Sequence, residues 1–177
     1  VKNRTHAPIK KDIDWGPIIQ SKAAAIMDEK TGAILWEKNG DEPLPPASLT
    51  KLMTTLVFLE HQPKEGMEHV HTLVPQENAV GGKILALDSY EKIRTFDLLR
   101  AAIVGSENNM ALALAHATEI SEKDFIQLMN EKAKALGMEK SEFRDVVGLD
   151  PQSRTTAKDL LLLTQAALSR EEIRVPA

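Results

Sequence analysis

The sequence predicts an α+β fold, with a β-hairpin near the start followed by a cluster of helices, and three stretches carry that reading. Lys22 to Asp28 and Ala33 to Lys38 flank Glu29-Lys30-Thr31-Gly32, a polar turn ending in glycine, which is the pattern of a hairpin. Pro45-Pro46 forbids helix before Ala47, and from Leu49 the chain is rich in apolar residues with no Gly or Pro until Pro63. A helix therefore begins at or near Ser48 and runs to Glu60. From Thr95 onward, helical runs follow one another, each with a capping residue ahead of it.

At 177 residues the chain can bury one substantial core and is too short for two ordinary domains. A net charge of -4, with no basic run denser than Lys10-Lys11, argues against nucleic acid as the main partner. No window approaches the roughly eighteen consecutive apolar residues of a membrane span. Cysteine is absent, which excludes disulfides and thiolate metal sites and fits either redox compartment. The chain begins at Val1 with no signal-like segment ahead of it, so the expectation is a mature form or an excised piece.

In order, residues 1–20 carry Pro8, Pro17 and mixed charge and read as an irregular lead-in. The hairpin follows, and Asn39 to Pro43 forms the loop that delivers the chain to the Ser48 helix. Between Gln62 and Thr95 the signals weaken. Glu68 to Val74 alternates as a short strand, while Gly81-Gly82 and Asp88-Ser89 mark turns. His69 and His71 lie on one strand face with no third ligand spaced nearby, so a polar strand face is expected and no metal is assigned.

Thr95 is placed as the cap of a helix from Phe96 to Val104 that Gly105 ends, and Ser106 to Asn109 as the cap of one from Met110 to Ala117. Ser121-Glu122-Lys123-Asp124 resembles a capping box opening a helix to Leu136, with Gly137 as its left-handed stop and Met138 packing back. Thr156 to Asp159 opens the last helix, which ends at Leu168.

The chemistry is expected at the start of the Ser48 helix. Ser48 and Lys51 stand three positions apart, which puts both side chains on one helix face, a turn apart. A serine is a weak nucleophile until a base takes its proton, and a lysine whose charge is disfavoured by burial can be that base. The unpaired backbone N–H groups and positive dipole end of the helix would also stabilise an oxyanion beside Ser48. The pattern alone is weak, since S-x-x-K is expected about once by chance in such a chain. Ser89-Tyr90-Glu91-Lys92 is a second copy, in a polar stretch with no apolar helix behind it, and reads as a surface turn.

Ser106-Glu107-Asn108 is the second candidate, a hydroxyl beside a carboxamide on a tight turn between two helices. Such a turn could set Ser106 near Lys51 to pass a proton, and Asn108 where it bonds a substrate amide. Plain helix capping accounts for the same residues when they are taken alone.

Taken together, S-x-x-K followed by an S-x-N turn is the pattern of penicillin-binding proteins and β-lactamases. The chain resembles the low-molecular-weight penicillin-binding proteins, the serine-type D-alanyl-D-alanine carboxypeptidases, from about Ala23 to Leu168. The resemblance is carried by Pro46-Ala47-Ser48-Leu49-Thr50-Lys51, Ser106-Glu107-Asn108-Asn109, Leu136-Gly137-Met138 and Gly148-Leu149-Asp150. It implies a β-lactamase/transpeptidase-like fold, with residues 21–177 forming part of the catalytic domain.

The resemblance further implies that Ser48 attacks a peptidoglycan stem peptide ending in D-Ala-D-Ala, with Lys51 as its base, Ser106 as proton relay and Asn108 on the acyl-side amide. β-Lactams would acylate the same serine. No cofactor is implied. An extracytoplasmic location is implied, with membrane association only through segments outside this sequence.

Two departures stand out. The middle residue of the second motif, usually small, is Glu107, whose carboxylate either points outward or narrows the cleft. The family's third motif, K-T-G, comes after the helices, whereas Lys30-Thr31-Gly32 lies in the hairpin turn and is read as a turn only. The sequence therefore reads as the first part of a longer enzyme, whose sheet is incomplete here and whose hairpin edge is open, with poor stability or self-association expected. Two alternatives follow. A class A-like β-lactamase would need Glu142 as deacylating base, but Glu142-Phe143-Arg144-Asp145 lacks the accompanying asparagine. A non-catalytic module would bind cell-wall peptide or a partner protein without a covalent adduct.

Overall fold

The computed structural model describes residue 6 and residues 17–175. Most of the lead-in over residues 1–20, with Pro8 and Lys10-Lys11, lies outside the described residues, and residues 17–20 carry no helix or strand. The hairpin forms as expected from β1 (Ala24–Met27) and β2 (Ile34–Lys38), antiparallel with Ile26 opposite Trp36 and Met27 opposite Ile34. The Asp28 carboxylate fixes its turn by accepting from the Thr31 N–H at 2.9 Å and the Thr31 hydroxyl at 2.7 Å. Gly32 then takes φ +69, open to it because it has no β-carbon. Lys30-Thr31-Gly32 is thus a turn. Among the described residues this two-stranded sheet gains no third strand.

The centre of the molecule is α1 (Thr50–His61), preceded by a 3-10 turn at Ala47–Leu49. Met53, Leu56, Val57 and Phe58 are all but fully buried, because the helix is surrounded rather than laid on a surface. Around it pack α3 (Thr95–Ile103), α4 (Asn108–His116), α5 (Glu122–Ala135) and α6 (Ala157–Leu168). Buried Ala111, Ala113 and Ala115 let α4 come close to α1 and α3, while α5 turns a stripe of Phe125, Met129 and Ala133 inward at i, i+4 spacing. Each large side chain so buried contributes about 1.5–3 kcal/mol.

The caps of α5 and α6 are as the sequence indicates. The Ser121 and Thr156 hydroxyls accept the N–H of Asp124 and Asp159 respectively, and Gly137 ends α5 at φ +78 with Met138 buried behind it. Four details differ from expectation. Thr95 does not cap α3; it is the first helical residue, and its hydroxyl donates to the Gly66 carbonyl at 2.8 Å. The reason is β4 (Lys92–Arg94), which runs straight into the helix and leaves extended Arg94 as the boundary.

β4 pairs antiparallel with β3 (Val70–Thr72), so only Ser89-Tyr90 of the second S-x-x-K copy is a turn. One helical turn, α2 (Pro75–Asn78), forms in the weakly patterned region. A further turn, α7 (Glu171–Arg174), follows α6 because Ile173 is wholly buried.

Candidate active site

The approach to Ser48 is held from both sides. Leu44 exchanges two backbone hydrogen bonds with Thr155, at 2.8 and 2.9 Å, and Pro46 is buried, which fixes where the chain arrives. Ala47 is then forced to φ +49, a left-handed conformation that side-chain-bearing residues adopt at a cost. Ser48 emerges on the surface in the 3-10 turn, while Thr50 and Lys51 immediately behind it are buried.

Lys51 is only 2% exposed, and its Nζ lies 3.3 Å from Ser48 Oγ and 3.1 Å from the Val147 carbonyl oxygen. Burial holds its pKa below the ordinary lysine value; the carboxylates of Asp145 and Glu107 oppose that shift, and Lys83 adds to it. The net result is a lysine beside a surface serine that releases its proton more readily than a free one. That is the requirement for a base toward Ser48.

The floor under Lys51 is the loop from Asp145 to Asp150. One oxygen of Asp145 accepts the backbone N–H groups of Gly148, Leu149 and Asp150 at 2.9, 2.6 and 3.2 Å, which curls the loop on itself. Two consecutive carbonyls of that loop then accept from α1, Val146 from the Thr54 hydroxyl at 2.6 Å and Val147 from Lys51. Sequence reasoning quoted Gly148-Leu149-Asp150 as a matching segment but missed Asp145 and Val147. The Asp145 turn is a local signal that could have been found; a carbonyl acceptor leaves no trace in residue type.

Ser106, at φ +56, and Lys51 and Ser48 line one cleft of about 520 Å³, walled by Ala47, Leu52 and Ile103. The capping reading of the second motif does not hold, since α4 has Glu107 at its boundary and no side-chain cap. Asn108 is buried beside the cleft and is not among its lining residues. Its carboxamide NH2 donates to the Gly81 carbonyl at 2.7 Å, and its backbone N–H to the Lys83 carbonyl at 2.7 Å. Glu107 turns inward, with its side chain 12% exposed and its Oε1 3.2 Å from Lys83 Nζ.

The other candidates lie elsewhere. The Glu142 carboxylate pairs with Arg144 at 3.0 Å in an exposed position, away from the lining of the cleft. His69 faces Glu65 at 3.6 Å. His71 instead bonds a carboxylate oxygen of Glu77 at 2.8 Å, and His116 meets the same oxygen at 2.8 Å. Among the described residues no cluster of three or more His, Cys, Asp or Glu is arranged to hold a metal.

A family model described as D-alanyl-D-alanine carboxypeptidase matches residues 10–175. The D-alanyl-D-alanine carboxypeptidase DacF of Bacillus subtilis is 31% identical over 157 residues, which cover 87% of this chain and 40% of that protein. Among solved structures, the D-alanyl-D-alanine carboxypeptidase DacD of Francisella tularensis superposes with a TM-score of 0.76 at 30% identity, over 90% of this chain and 40% of that one. Penicillin-binding protein D2 of Listeria monocytogenes, in its ampicillin-bound form, does so with a TM-score of 0.75 at 29% identity, over 87% of this chain and 64% of that one. The chain spans about 40% of the length of DacF and of its counterpart DacC of Escherichia coli.

Proposed function

The chain belongs to the D-alanyl-D-alanine carboxypeptidase family, and we propose that Ser48 is the nucleophile of a serine-type carboxypeptidase acting on peptidoglycan stem peptides that end in D-Ala-D-Ala. The observation that carries this reading is the buried Lys51 amine 3.3 Å from Ser48 Oγ, with its pKa lowered by burial. Ser48 Oγ bonds to the carbonyl carbon of the penultimate D-alanine as Lys51 takes its proton. The bond to the terminal D-alanine nitrogen then breaks, and that nitrogen receives a proton through Ser106. Water hydrolyses the resulting ester and frees Ser48.

The Ser48 backbone N–H, in the turn that opens α1, would be one donor to the oxyanion. Asn108 would meet the acyl-side amide with the part of its carboxamide not engaged by Gly81. β-Lactams would acylate Ser48 in the same way, a reading supported by the ampicillin-bound relative. Trimming of assembled peptidoglycan would put the activity outside the cytoplasm; among the described residues no helix is long and apolar enough to cross a membrane.

Release of D-alanine from an acyl-D-Ala-D-Ala peptide tests the proposal. The protein as its gene encodes it should release D-alanine, and Ser48→Ala and Lys51→Arg, each shown to be folded, should not. Equal release by either variant would remove that residue from the mechanism.

A further inference from the structure

We infer that Lys83 is a positioning residue for the Ser106-Glu107-Asn108 turn and that its ion pair with Glu107 keeps that carboxylate from acting as the counter-ion of Lys51. Lys83 grips the turn through both its backbone and its side chain. Its carbonyl accepts the Asn108 N–H at 2.7 Å, its ammonium donates to the Gly105 carbonyl, and the same nitrogen lies 3.2 Å from Glu107 Oε1. The loop that carries Lys83 is itself pinned to α4. Asn109 exchanges two bonds with the backbone of Leu85, at 3.0 and 2.8 Å, and Asn108 holds Gly81. Gly82 passes so close that a β-carbon there would lie 2.5 Å from Asn108 Nδ2.

Glu107 gives the pair its consequence. One of its oxygens, Oε2, is buried and accepts no hydrogen bond among the described residues, so the ion pair at Oε1 is what offsets its charge. The charged groups that bear on Lys51 are Asp145 from the loop beneath it, Glu107 from the turn before α4, and Lys83 beyond Glu107; Ser48 is its hydroxyl neighbour. Asp145 gives one oxygen to three backbone N–H groups, its other oxygen is buried without a hydrogen-bond partner like Glu107 Oε2, and among the described residues no ion pair reaches it. Glu107 is the acid whose effect a nearby cation offsets, because of the two it is the one with a lysine against it, Lys83 Nζ at 3.2 Å from Oε1. Without Lys83, its negative charge would favour the protonated form of Lys51 and deplete the base.

This inference rests on the reading of Lys51 as the base toward Ser48, and two readouts separate them. The first is the pH dependence of the Lys51 side chain, followed by carbon NMR of its ε-carbon, which needs no activity. The second is the rate of acylation by a fluorescent penicillin against pH. Wild type, Lys83→Met, Lys83→Arg, Glu107→Gln and Lys83→Met/Glu107→Gln would be compared.

Lys83→Met should move the Lys51 titration to higher pH and slow acylation at pH 7 by about two- to fivefold, a modest factor because the Lys83 side chain is 65% exposed and screened. Lys83→Arg should restore wild-type behaviour in both readouts. The double variant should titrate at or below the wild-type pH, and the Lys83→Met effect should shrink in high salt. A Lys51 titration unmoved in Lys83→Met would overturn the inference. A titration that moves as described in a protein no penicillin acylates would leave the inference standing and refute the proposed function.

Discussion

Gly148 lies so close beneath Ala47 that a β-carbon placed on it would sit 1.9 Å from the Ala47 carbonyl oxygen and 2.9 Å from Thr50 Oγ1. Its φ of +89 also lies where other residues are strained. The residue just before the nucleophile is thus seated on a glycine of the loop that holds Lys51. Gly148→Ala should push Ala47, and Ser48 with it, away from Lys51. Acylation by penicillin should fall about tenfold or more, as expected when reacting groups are displaced on the scale of an ångström. A circular-dichroism melt alongside would show whether the fold survives, and unchanged acylation would show that the contact does not position Ser48.

Lys51→Met keeps most of the unbranched buried side chain and removes the base. Acylation should drop by about a hundredfold or more, and the Val147 carbonyl, left without its donor, should lower stability by about 1–3 kcal/mol. The folded pKa of Lys51 is depressed, so between that value and 10.5 the unfolded chain binds more protons than the folded one. Stability from this group therefore rises with pH through that window, and the wild-type acylation rate rises with it as Lys51 loses its proton. Parallel pH series of urea denaturation and acylation would check both, and Lys51→Met should flatten both trends.

Glu77 is fully buried and joins three elements, since its carboxylate meets His71 of β3, His116 of α4 and the Val74 N–H at the start of α2. Burial pushes its carboxyl up, but the bonds from His116, His71 and Val74 outweigh that and leave it at about 2. A carboxyl depressed in the folded state stabilises above its unfolded pKa, and that contribution is lost as pH falls from 4.5 toward about 2. It should amount to something on the order of 3 kcal/mol. Glu77→Gln should lower the urea midpoint at pH 7 and lose the part of the acid decline that lies in this window. An identical acid decline in both proteins would show that the cluster does not carry it.

Much of the fold was legible because its signals are local. The Glu29 to Gly32 turn, the Ser121 and Thr156 caps and the Gly137 stop each depend on residues within a few positions of one another. Ser48 and Lys51 were legible for the same reason, being one helical turn apart. What escaped depends on contacts across the chain. Thr95 was misplaced as a cap because β4, which sets the helix boundary, exists only by pairing with β3. Val147 meets Lys51 through a carbonyl that any residue would offer. His71 was paired with His69 in sequence, whereas its partner in space is Glu77, shared with His116 of α4.

The most direct test of the central claim, that Lys51 activates Ser48, is the intact mass of the protein after incubation with a penicillin, beside a Ser48→Ala control. The account predicts a mass increase of one penicillin in the wild type, mapped to Ser48 by proteolysis and absent from the control. No increase in a protein shown to be folded, or an equal increase in the control, would contradict it.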